Sequence, residues 1–200
     1  AQVGAISSLY FFVYVAMQLP AGLLGDRFGP KRVLVVTYFL AGLGLLGVGL
    51  AASGYTSLLL FVATYALGAG AYHPSAFSIT MKAVPSKLRA LSSAIINSGM
   101  SLGLALGLSI SGPVYLATSS WQFVFVLLTV PTLLLALLFA VGIKPTRRQR
   151  SAPLAIQVFL RDRSLVCLYM ANFCSLFGFW TVISWGPTFF QTERGLGLGL

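Results

Sequence analysis

Ser7, Tyr10, Tyr14 and Gln18 recur at steps of three or four, which places them on one face of a helix. Further along, Tyr72 and His73 stand in "GAGAYHPSAF", and Ser93, Asn97 and Ser101 form one stripe. Asn172 and Ser175 share a later stretch, followed by Trp180, Thr181 and Trp185. Hydroxyls, amides and a single imidazole are hydrogen-bonding groups suited to holding a polar ligand. Tyr10, Tyr14, Gln18, Tyr72, His73, Asn97, Ser101 and Asn172 are therefore the candidate binding residues, with Tyr14, Gln18 and Asn97 foremost. Hydrogen bonding between helices is the competing role for each. His73 is the only histidine and can carry a proton near neutral pH; a structural histidine beside Pro74 is its other role.

Covalent chemistry finds little to work with. A catalytic centre would need paired acids, a His and Glu cluster or a Ser and His pair, and His73 has no such companion in the sequence. One histidine, two cysteines and three scattered acids make no ligand set, so neither metal nor cofactor is expected. Cys167 and Cys174 are seven residues apart on one helix, about 10.5 Å along its axis and too far to bridge. They read as small buried apolar fillers. "GLGLLG" at 42–47 matches the dinucleotide-binding spacing, yet it follows no strand and has no acid some twenty residues on. Small-residue packing explains it better.

The elements that must position these residues are apolar throughout. Hydrophobic residues make up 58% of the 200 and charged residues 8%, with a mean hydropathy of +0.91, whereas soluble domains carry roughly 25% charge. Apolar runs cover 3–25, 33–52, 57–81, 91–117, 122–143 and 164–187, each near the ~20 residues that cross a bilayer as a helix. None alternates as the strands of a membrane barrel would. The fold class expected is an all-α polytopic bundle of six membrane helices, with the lipid bilayer as its surroundings.

Charge gives that bundle a direction. Arg27, Lys31 and Arg32 lie on the connection 26–32; Lys82, Lys87 and Arg89 on 82–90; and Lys144, Arg147, Arg148, Arg150, Arg161 and Arg163 on 144–163. The intervening connections "SGYTS" and "TSSWQ" carry no charge, so only Arg194 stands on the other side. The positive-inside rule makes the basic connections cytoplasmic, and puts residue 1 and the C-terminal tail outside a cell membrane crossed several times. A net charge of +10 would otherwise point to nucleic acid, but bases spread over three membrane-edge connections are explained by topology and headgroups. No nucleic-acid partner is expected.

One connection holds more than bases. In "GLLGDRFGPKRVL", Gly22 and Gly25 permit close backbone approach, Gly29 and Pro30 break the helix, and Asp26 is one of three acids in the chain. It can pair with Arg27, Lys31 or Arg32, or face the positive end of another helix. Topology needs the bases but not the acid. Gly22, Leu24, Gly25, Asp26, Arg27, Gly29, Lys31 and Arg32 resemble the loop motif of the major facilitator superfamily. Gly25 stands where Ala or Ser is usual, and Pro30 where a base is frequent.

The resemblance implies a twelve-helix transporter of two halves, which binds a small-molecule solute between them and exposes it to each side in turn. Its loop follows the second helix, which agrees with the expectation that a chain made in the cytoplasm needs one more span ahead of residue 1 to bring that residue outside. Residues 1–143 would be the N-terminal half without its first helix, 144–163 the cytoplasmic linker, and 164–200 the start of the second half, leaving the rest of the chain as a missing partner. Within the linker, "PLAIQVFLRD" can form a short amphipathic helix at the membrane face. The loop, Gly22, Gly25, Asp26, Arg27, Gly29, Lys31 and Arg32, would act as a conformational latch.

A secondary active transporter, with protons or ions as coupling partners left open, is the expected function, and no enzyme. A drug and proton antiporter of the same superfamily is the alternative, although "SGPVYLA" lacks the glycine pair of the efflux motif; a receptor or scaffold without transport is another. Gly99, Gly103 and Gly107, spaced by four, predict a tight helix contact. The layout itself is testable: a tag in "SGYTS" is expected to react from outside intact cells, and reaction only from the cytosol would overturn the orientation.

Overall fold

Backbone amides within a hydrocarbon layer must find partners in their own segment, and apolar runs meet that demand as helices. The computed structural model describes residues 2–144 and 161–194, and every regular element among them is helical. In chain order these are α1 (Gln2–Phe28), α2 (Pro30–Leu50), α3 (Tyr55–Gly70), α4 (Tyr72–Ala83), a 3-10 turn (Ser86–Leu88), α5 (Arg89–Thr118), α6 (Trp121–Gly142) and α7 (Arg163–Arg194). Six stretches are long and apolar enough to cross a membrane: Gly4–Phe28, Pro30–Leu50, Tyr55–Ala83, Ser86–Thr118, Trp121–Gly142 and Arg163–Gly186. They are the six apolar runs of the sequence, displaced by a few residues at their ends.

Local chemistry sets the boundaries. Gly29 alone separates α1 from α2; its φ of +95° is open to glycine and strained for any residue with a Cβ. Pro30 then starts α2 where its missing N–H costs nothing. At the head of α3 the Gly54 amide donates to Ser57 Oγ at 3.0 Å, and Ser57 returns a bond to the Gly54 carbonyl at 2.8 Å. Ser119 closes α5 in a left-handed conformation, its N–H reaching the Tyr115 carbonyl at 2.8 Å.

The span expected to run unbroken over 57–81 is divided at Ala71. Pro74 has no N–H for the Gly70 carbonyl four residues before it, and its ring crowds that turn, so α3 stops and α4 begins again. The interior prolines of α1, α5 and α6, namely Pro20, Pro113 and Pro131, leave their helices continuous.

In the unit formed by residues 1–151, α2 is the centre, packed most extensively on α6 and α3 and touching α4 and α1 as well. Lipid tails are as apolar as leucine, so helices here adhere through close packing. Glycine makes the approach possible on both sides of α2. A Cβ on Gly44 would lie 2.5 Å from the Tyr65 backbone nitrogen of α3, and one on Gly47 would overlap the Phe61 ring. Gly42 and Gly49, two turns apart, do the same for α6: a Cβ on the first would strike the Leu133 side chain, and one on the second would come 2.5 Å from Val126. Gly68 on α3 admits the Thr37 carbonyl and Ala41 of α2. The "GLGLLG" stretch is thus a packing surface, as its position in an apolar run implied. Buried Thr37 satisfies its hydroxyl within α2, donating to the Val33 carbonyl at 2.7 Å.

The second unit, residues 152–200, contains α7. Asp162 caps it, accepting from the Ser164 amide at 2.9 Å. Outside its own helix backbone, no described atom lies within 4 Å of a Cβ placed on Gly99, Gly103 or Gly107, so the tight contact expected at this repeat is not formed among the described residues; the close packing seen there runs through α2. One expectation needs correction. Cys167 and Cys174 are free and exposed in the structure, not buried fillers. The proposed "PLAIQVFLRD" helix falls almost wholly outside the described residues.

Gly44→Ala is expected to destabilise the protein by about 1–3 kcal/mol, since the added methyl meets backbone and not a movable side-chain tip. Gly142→Ala, where nothing lies within 4 Å, is expected to leave the melting temperature unchanged or slightly raised. Thermal unfolding of both in the same detergent checks the contrast.

Candidate functional site

The motif from Gly22 to Arg32 folds more tightly than a connection over 26–32 implies, because α1 continues to Phe28. Asp26 and Arg27 therefore occupy the last turn of α1, and Lys31 and Arg32 the first turn of α2. The Gly29 amide donates to the Gly25 carbonyl at 2.9 Å, completing α1. Gly25 is buried, and a Cβ there would meet Pro30 at an ordinary 3.7 Å; the space beside Gly22 is open. The close backbone approach expected at Gly22 is therefore not made among the described residues.

The charges of this turn do not serve the helices that carry them. A helix C-terminus is partially negative and disfavours an acid such as Asp26; an N-terminus is partially positive and disfavours bases such as Lys31 and Arg32, each by about 0.3–1 kcal/mol. Only Arg27 sits with its dipole, and its guanidinium lies 5.4 Å from the Phe28 ring centroid. Asp26 is half-buried and has no hydrogen bond or ion pair among the described residues. The pairing with Arg27, Lys31 or Arg32 anticipated from sequence is not formed there.

A second group of candidates comes together within the helices. The Tyr14 hydroxyl of α1 lies 2.9 Å from Nδ1 of His73 in the first turn of α4, a bond between residues 59 apart in sequence. Tyr10, one turn earlier, stacks on Tyr14 with centroids 5.9 Å apart and on Tyr65 of α3 at 5.7 Å. On the other side of His73, Tyr72 meets its ring edge to face at 5.3 Å and approaches Tyr38 of α2 at 5.7 Å. Tyr38 in turn meets Phe139 of α6 at 5.2 Å. Five helices of one unit thus contribute to a continuous aromatic and hydroxyl-bearing cluster. Gln18 stands one turn beyond Tyr14 and interacts with its hydroxyl.

Glycine again sets the spacing. A Cβ on Gly70, at the end of α3, would lie 2.5 Å from the Tyr14 carbonyl. The break at Ala71 then starts α4 so that Tyr72 and His73 occupy its first turn. Ser75, 2% exposed, leaves its hydroxyl without a hydrogen-bond partner among the described residues.

Other candidates stay apart. Asn97 and Ser101 are exposed on α5 and bond to no member of the cluster; Ser93 donates to its own helix, at the Arg89 carbonyl. Asn172 lies on α7 in the second unit. Tyr38 and Tyr65 were missed by sequence reasoning, which sought runs of several polar residues on one face. The available signal was simpler: a tyrosine in the middle of an apolar span brings a hydroxyl into lipid and needs a reason to be there.

A family model described as the Major Facilitator Superfamily matches residues 1–200. Among curated relatives, the probable sulfoacetate transporter of Cupriavidus necator is 27% identical, the match covering 99% of this chain and 50% of that protein. The chloroplastic ascorbate transporter of Arabidopsis thaliana is 28% identical over 98% of this chain and 41% of its own length. The probable galactarate/D-glucarate transporter of Bacillus subtilis is 24% identical over 98% and 50%. The chain spans about half the length of these relatives, or less.

Removing the bond between α1 and α4 is expected to have a modest structural cost. Tyr14→Phe keeps the ring stack on Tyr10 and loses only the hydroxyl, so unfolding should require about 0.5–1.5 kcal/mol less. A thermal melt unchanged within error would show that the bond contributes nothing to stability.

Proposed function

Because this chain belongs to the Major Facilitator Superfamily, we propose that it is part of a secondary active transporter, which carries a small organic anion across the membrane by alternating access. Residues 1–143 contribute to one half, 144–163 connect the halves, and 164–200 belong to the other. The bridge from Tyr14 to His73 carries this proposal. Polar groups inside membrane spans are costly and face protein or a water-filled path, and here they converge from separate helices at a helix break. Such a break beside the ligand is the arrangement on which transporters of this kind rely. Support for an anion comes from the names of the relatives, since sulfoacetate, ascorbate and glucarate are all acids.

The turn at Gly29 supplies the switch in this proposal. Asp26, Lys31 and Arg32 oppose the dipoles of their own helices, so their stabilising partners lie elsewhere in one of the two states. Contacts made there on the cytoplasmic side would hold that side closed and release when it opens. An organic-anion carrier is preferred to a drug and proton antiporter, because three relatives named for acids stand against a weak efflux motif. Coupling to protons or other ions is part of the same scheme.

In proteoliposomes of the full-length protein, uptake of labelled sulfoacetate, ascorbate or D-glucarate is the test, and transport of none of these despite correct folding would overturn the anion assignment. Asp26→Asn is expected to lower the rate at least about tenfold, the loss of one charged contact, with membrane insertion unaltered. Normal turnover in that variant would remove Asp26 from the switch.

A further inference from the structure

A neutral imidazole carries one proton on two ring nitrogens, and whichever nitrogen lacks it is an acceptor. Tyr14 Oη lies 2.9 Å from Nδ1 of His73, and elementary acidity sets the direction of that bond. A phenol O–H is the stronger donor and a bare ring nitrogen the stronger acceptor; a phenol oxygen accepts poorly from an imidazole N–H. In that direction the hydroxyl donates to Nδ1, which leaves the ring proton on Nε2. Tyr72 meets the ring edge to face, with Phe77 at a centroid distance of 6.0 Å, and neither side chain accepts a conventional hydrogen bond from Nε2. The ring is half-buried, and Nε2 has no hydrogen-bond partner among the described residues. Within hydrocarbon an N–H without a partner is costly.

We infer that Tyr14 holds His73 as the Nε2–H tautomer, and that this N–H donates to a carboxylate or sulfonate oxygen of the transported solute. The inference rests on the anion transporter proposed above. His73 is then the residue in contact with the ligand and Tyr14 a positioning residue that acts through it. A neutral donor suits spans whose sequence places no lysine or arginine deep within the apolar runs. It recognises an oxyanion without burying a fixed charge, which would be far more costly. Tyr10 stacks on Tyr14, and Tyr65 stacks on Tyr10 in turn, so the phenol is kept in place before a ligand arrives.

The test uses full-length protein labelled with 15N-histidine in liposomes, with the His73 signals assigned by their loss in His73→Gln. The expected spectrum shows the proton on Nε2, Tyr14→Phe mixes the two tautomers, and sulfoacetate, ascorbate or D-glucarate moves Nε2 more than Nδ1. In uptake, His73→Gln places an amide N–H near the Nε2 position and should keep KM within about threefold; His73→Asn reaches only the Nδ1 position and should raise KM about tenfold or more. A proton found on Nδ1, or a spectrum that no probe moves, overturns the inference. Uptake with an unmoved spectrum leaves the transporter standing and removes only the role of His73. A moved spectrum without uptake keeps that role and removes the transporter.

Discussion

Close approach of α2 to α3 and α6 is the constraint on which the rest of the first unit depends. In water, burial of leucine and valine would draw these helices together; in lipid it gives almost no preference, and contact distance decides. Gly44 and Gly47 let α3 in on one side, Gly42 and Gly49 let α6 in on another, and Gly68 returns the contact from α3. The cluster of tyrosines around His73 inherits its geometry from these contacts. Gly44 lies against the backbone of Tyr65, Tyr65 stacks on Tyr10, Tyr10 on Tyr14, and Tyr14 reaches His73. Glycines with no chemistry of their own thus fix the residues that have it.

Proline contributes by interruption. Pro74 ends the hydrogen-bond ladder of α3 at Gly70 and lets α4 restart at Tyr72, so an aromatic ring and an imidazole occupy a helix beginning within a membrane span. A continuous helix would have hidden its backbone completely. Here the span gives up one internal hydrogen bond at the break, and the hydroxyl of Ser75 is left buried without a partner among the described residues. The polar cluster and the irregular backbone occur at one place, where each makes the other less costly to maintain.

Much of this was legible in the residues. Apolar runs gave the six spans because hydrocarbon leaves the backbone no alternative to helix, and glycine with proline gave the turn between α1 and α2. The spacing of Tyr10, Tyr14 and Gln18 put them on one face of α1, from which Tyr14 reaches His73 of α4, and His73 was among the candidates. What escaped was pairwise. Which tyrosine of α2 or α3 would join the cluster depends on rotation about each helix axis, and Tyr38 and Tyr65 are lone polar residues without a periodic partner. The glycine repeat of α5 has no close partner among the described residues: small residues permit close contact but do not supply a neighbour, and the glycines in use on α2 follow irregular spacings, at 42, 44, 47 and 49.

The one-residue turn at Gly29 also governs phase. Each residue of an α-helix advances the chain by about 100° around its axis, and with so short a connection there is no slack to absorb a change in length. Inserting a single amino acid there would swing the glycines of α2 about a quarter-turn away from Tyr65 and Leu133 and present bulky side chains in their place. Length variation among natural homologues should therefore collect in other connections, while this one keeps a constant number of residues even where their identities differ.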